Sequence, residues 1–174
     1  KTKVSSMARG DFYSNEISKT VSKSQVGSGR IVFESADGSL EKILGQNLYY
    51  EEGTIVDATF LSVGELRKFV KEQVSLTKKD NILFSLHLKS TMMKVSDPII
   101  FGHALSVFFE EVFKEFPTEL SFDKVNPSSG LGEIFQSLEG KNDVLELFEK
   151  VLNDLPKLYM VDSDRGITNF HVPS

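Results

Sequence analysis

Asn81-Ile82-Leu83-Phe84-Ser85-Leu86-His87-Leu88, followed a few residues later by Pro98-Ile99-Ile100-Phe101-Gly102-His103-Ala104-Leu105-Ser106-Val107-Phe108-Phe109, sets the architecture of this chain. The first run is short and apolar and follows the polar loop Lys78-Lys79-Asp80, as a buried strand does. In the second, Pro98 fits the first turn of a helix, where its missing N–H costs nothing. Phe101, Leu105, Phe108, Val112 and Phe116 then form a helical stripe, widened by Phe109 and Phe113. A buried strand feeding an apolar core helix is the unit of an α/β layered domain.

Upstream, Thr54 to Leu61 is a strand candidate, and Ser62-Val63-Gly64-Glu65 follows it with a capping serine and a glutamate able to reach back. Leu66, Phe69, Val70 and Val74 recur at helical spacing while Arg67, Lys68, Lys71 and Glu72 face away. Ile17 to Val21 and Arg30 to Glu34 read as strands; Asp37-Gly38 supplies a hairpin turn, with Leu40 to Leu44 returning. Downstream, Ser128 to Leu138 and Asp143 to Leu155 read as helices and Tyr159 to Val161 as a last short strand. The expectation is one α/β domain spanning residues 1–174, with a mixed sheet and packed helices.

Composition narrows the function. The net charge of −5 comes from 20 basic and 25 acidic residues scattered through the chain, so no basic face is available for a phosphate backbone and nucleic acid is not an expected partner. No cysteine is present, which removes thiolate metal sites and cysteine nucleophiles and suits a reducing compartment such as the cytoplasm. The longest apolar stretch, Ile99 to Phe109, is far short of the ~20 residues a membrane helix needs. Both termini lack the character of a signal or a tail and read as cuts through a longer protein.

Common catalytic signatures are weak. Gly27-Ser28-Gly29 and Gly130-Leu131-Gly132 are too short for a phosphate-binding fingerprint and read as loops or helix starts. His87, His103 and His171 show no metal-ligand spacing, and Asp162-Ser163-Asp164-Arg165-Gly166 lacks the ligands of a calcium loop. Lys89 leaves an apolar strand together with Thr91, just before a helix. Two readings fit it: a partly desolvated lysine with a lowered pKa, or one that snorkels to water while Met92 and Met93 fill gaps in the core.

The run Phe84-Ser85-Leu86-His87-Leu88-Lys89-Ser90-Thr91-Met92-Met93-Lys94-Val95-Ser96-Asp97-Pro98-Ile99-Ile100-Phe101-Gly102-His103 resembles the monomeric NADP-dependent isocitrate dehydrogenases. Gly10-Asp11-Phe12-Tyr13-Ser14-Asn15-Glu16 and Met160-Val161-Asp162-Ser163-Asp164-Arg165-Gly166-Ile167-Thr168-Asn169-Phe170-His171-Val172-Pro173-Ser174 carry the likeness to both ends. It is weakest over Ser24 to Leu48 and Glu119 to Leu158. The resemblance implies an internal segment of a much longer chain, one copy of a duplicated small-domain motif within a large internal domain. In dimeric relatives the catalytic lysine follows a histidine and precedes the lysine of a Met-Lys pair by five positions, as Lys89 precedes Lys94 here, although Leu88 separates Lys89 from His87. The likeness thus implies Lys89 as the catalytic lysine, Lys89 and Thr91 as substrate-binding residues, and isocitrate as the substrate. It also implies NADP and a Mg or Mn ion bound by groups outside these residues, the ion gripping the substrate hydroxyl and a neighbouring carboxylate. The segment alone is then expected to be inactive and to bind no cofactor tightly. A non-enzymatic α/β interaction module of shared ancestry is the alternative.

Overall fold

The structure is a computed structural model, and it describes residues 3–87, 93–121, 124–154, 158–162 and 167–169. Two compact units divide the chain, Arg9–Leu61 and the remainder. The α/β class holds, with helices packed beside small sheets.

In the unit Arg9–Leu61, β1 (Ile17–Thr20) pairs antiparallel with β4 (Ile55–Ala58), and β2 (Gly27–Glu34) with β3 (Glu41–Tyr50). The hairpin turn forms where Asp37-Gly38 predicts it, Gly38 taking φ 69°. There the Asp37 carboxylate accepts bonds from the Ser35 and Ser39 hydroxyls at 2.7 and 2.8 Å, which hold it at about 2. Both hairpin strands run well past the expected Arg30 to Glu34 and Leu40 to Leu44. Gly29 faces Leu48 and Ile31 faces Gly45, so Gln46 and Asn47 oppose Arg30 alone in a bulge where Asn47 adopts φ 59°. Gly and Asn are what such a bulge requires, and they are also what makes the stretch look like a loop in sequence. Gly27-Ser28-Gly29, expected as a loop or helix start, opens β2 instead.

The second unit begins with α1 (Val63–Asp80). Ser62 caps it, its hydroxyl accepting from the Glu65 N–H, and it buries Leu66, Val70 and Val74. The helix ends on Asn81 at φ 49°, with Asn81 N–H bonded to Lys78 O and Ile82 N–H to Thr77 O. This is the left-handed stop that asparagine tolerates without a glycine. β5 (Phe84–His87) follows, then α2 (Ser96–Phe108) and α3 (Glu110–Glu115). One helix was expected from Phe101 to Phe116. The backbone instead departs from helical geometry at Phe109 (φ −102°, ψ 30°), and the consecutive rings of Phe108 and Phe109 are both buried. Lys71 Nζ bonds Glu110 Oε2 at 2.7 Å, linking α1 to the start of α3.

After a 3-10 turn at Pro127–Ser129 come α4 (Leu131–Ser137) and α5 (Asn142–Asp154), which with α2 and α3 enclose the core. Four aromatic contacts run through it, Phe84 to Phe108, Phe108 to Phe109, Phe109 to Phe148 and Phe148 to Phe135, with centroids 4.9 to 6.4 Å apart. β6 (Leu158–Asp162) lies between β5 and β7 (Ile167–Asn169), parallel to the first and antiparallel to the second, so this small sheet is mixed as expected. β7 was not expected; its antiparallel pairing with β6 makes it a strand.

Gly102 fixes how α2 meets the 3-10 turn. A Cβ there would lie 2.8 Å from Ser128 N and 3.1 Å from Pro127 C, and neither backbone atom can swing aside as a side chain would. Gly102→Ala is therefore expected to destabilise the chain by about 1–3 kcal/mol despite alanine's better helix propensity, as chemical denaturation would record.

Candidate functional site

Phe84 lies opposite Leu158 and His87 opposite Val161 in the parallel pair β5–β6. The C-terminal ends of the two strands are therefore side by side. From one the chain enters residues 88–92 and returns at Met93; from the other it leaves at Asp162. Two strand ends more than seventy positions apart in sequence, His87 and Val161, are thus brought side by side. Carboxyl ends of strands are where open α/β sheets place ligands, because the loops that emerge there are free to vary without disturbing the ladder.

Lys89 and Thr91 lie outside the described residues, as do Asp164 and His171. Lys94 is exposed in the turn that enters α2. Asp97, in the first turn of α2, is buried and complements the positive end of the helix dipole, its N–H reaching Met93 O at 3.1 Å. Gly130, the first glycine of the second Gly-x-Gly, caps α4 at φ 92°. That is the helix-start role expected of it.

His103, on α2, is half-buried. Burial pushes its imidazole below the ordinary value of 6.5, and the Arg67 guanidinium on α1 pushes it further in the same direction. The folded chain therefore takes up this proton less readily than the unfolded one. Stability is full above the unfolded value and is lost as pH falls through the folded one. A His103→Gln variant should flatten the fall in stability between about pH 7 and about pH 5, measured by denaturant midpoints. Arg67 escaped sequence reasoning because it sits on the polar side of the α1 pattern, and only the packing of α1 on α2 brings it near the histidine.

A cavity of about 550 Å³ opens among α1, β5 and α2, lined by Phe69, Val70, Phe84, Leu86, Ile100 and Ala104, with Lys3 and Asp80 also in its wall. Those two charges pair with each other. The lining is mostly apolar, with Gln73, Thr77 and Ser85 among its polar members, and its one lysine is already paired with Asp80. Among the described residues no three His, Asp or Glu side chains converge in a way that could hold a metal ion. The described residues therefore do not fit a Mg or Mn centre. No helix among them is long and apolar enough to cross a membrane.

The family model for monomeric isocitrate dehydrogenase matches residues 1–174. Proteins named NADP isocitrate dehydrogenase are similar over all of this chain: one from Corynebacterium glutamicum at 44% identity, one from Corynebacterium efficiens at 41% and one from Azotobacter vinelandii at 36%. In each case the chain spans 24% of the relative's own length. With the match running from the first residue to the last, the chain belongs to the monomeric isocitrate dehydrogenase family.

Proposed function

We propose that these residues are a segment of an NADP-dependent isocitrate dehydrogenase, which oxidises isocitrate and decarboxylates it to 2-oxoglutarate and carbon dioxide. The observation that carries this reading is the end-to-end family match, at 44% identity to the Corynebacterium glutamicum relative. Both units belong, in this reading, to one large internal domain of a cytoplasmic, monomeric enzyme whose partners are isocitrate and the rest of its own polypeptide. Neither nucleic acid nor membrane is a partner.

Lys89 is the catalytic lysine of this reading, and Thr91 helps to bind substrate. A lysine following a strand end can move a proton at the substrate hydroxyl or carbonyl. Its charge also attracts a substrate with three carboxylates. The parallel pairing of β5 with β6 supports this placement, since it sets the approach to Lys89 beside the approach to Asp162-Ser163-Asp164. NADP, the hydride acceptor, and the Mg or Mn ion are held by other parts of the polypeptide.

It follows that the 174 residues alone should form no NADPH from isocitrate and should bind NADP more weakly than micromolar, since no glycine-rich phosphate loop or arginine cluster is present in the sequence. Calorimetric titration and an absorbance assay test this. Chelator-sensitive NADPH formation by the pure chain would overturn the view that it supplies only part of a site.

A further inference from the structure

In the unit Arg9–Leu61 no described residue is buried; the buried apolar core starts at Leu66. Two-stranded ribbons without a core are marginal in water, so what stabilises this unit must come from surfaces it does not itself supply. The β2–β3 ribbon shows where. Side chains alternate along a strand, so Ile31 and Phe33 point to one face of the ribbon and Val32, with its cross-strand partner Ile43, to the other. Ile31 and Phe33 are about half exposed at 53% and 47%. A strand apolar on both faces is the pattern of one covered on both. Two residues further along, Glu34 stands directly opposite Glu41 on the Val32 face, a like-charge pair that costs stability unless a cation meets it. Neither carboxylate forms an ion pair with another described residue.

We propose that the β2–β3 ribbon is a docking surface for another segment of the same polypeptide, outside these 174 residues. That segment covers the apolar residues and sets a lysine against Glu34 and Glu41. The inference rests on the reading of the chain as part of a longer monomeric enzyme. Its relatives are about four times as long, the chain being 24% of their length, so ample polypeptide is available in cis. The family is described as monomeric, which favours a cover from the same chain over a second copy.

The test uses a complete isocitrate dehydrogenase carrying this segment, at concentrations where sedimentation shows one chain per particle. Under hydroxyl-radical footprinting, Phe33 should be oxidised as slowly as the core rings of Phe109 and Phe148. Carbodiimide should join Glu34 or Glu41 to a lysine outside the segment, within one chain of an isotopically mixed sample. Rapid oxidation of Phe33 overturns the proposal. So does protection that arises only when copies associate, and so does cross-linking confined to lysines of residues 1–174 or absent altogether. Isocitrate turnover of the same preparation keeps the two readings apart. Inactive protein with a protected Phe33 refutes the enzyme reading alone, and active protein with an exposed Phe33 refutes the docking surface alone.

Discussion

Turnover of a complete isocitrate dehydrogenase carrying this segment is expected to fall by about a hundred- to ten-thousandfold when Lys89 is replaced by Met, the range typical for loss of a positioned acid or base. Methionine keeps the apolar reach of the lysine stem and deletes only the ammonium group, so packing around the strand end should survive. Because the same charge attracts a tricarboxylate, KM for isocitrate should rise as well. A fall in kcat together with a rise in KM distinguishes proton transfer plus binding from binding alone. A lysine that merely snorkels to water would behave otherwise: Lys89→Met would then leave the kinetics near normal and shift stability by no more than about 0.5 kcal/mol. Unchanged turnover at saturating isocitrate, metal and NADP would remove Lys89 from the mechanism.

The features legible in the sequence are those whose cause is local. Ser62 and Glu65 announce the start of α1 because a helix leaves N–H groups that only nearby side chains can satisfy. Asp37-Gly38 announces a turn because Gly38 alone accepts its positive φ without a Cβ clash. What stayed hidden depends on partners distant in the chain. Nothing near Phe109 signals a break in a strong helical stripe; the ring of Phe148, 4.9 Å away, is where the Phe109 ring packs. Likewise β7 is three residues long, and only its pairing with β6 makes it a strand. The candidate site divides the same way. Spacing around Lys89 left a catalytic and a snorkelling lysine both open, and only the resemblance over a twenty-residue run implies the first. The parallel alignment of His87 with Val161 is tertiary information that no local pattern carries.

Phe148→Ala is expected to cost about 3–5 kcal/mol, the usual penalty for truncating a fully buried aromatic ring. Phe148 is wholly buried on α5 and touches Phe109 on one side and Phe135 on the other, with centroids at 4.9 and 5.4 Å. Its removal deletes both contacts and opens a void beside the rings of Phe109 and Phe135, in a core where a lost ring is not easily replaced. A loss of that size is a large fraction of the total stability of a domain, so the variant should unfold at markedly lower urea concentration, followed by circular dichroism of the helices. Phe33→Ala provides the contrast within the same chain. Its ring is about half exposed on β2, outside the helical core, and should move the helical transition of the isolated chain by far less. Equal shifts from the two substitutions would mean that the helical unit is not stabilised by the Phe109–Phe148–Phe135 cluster.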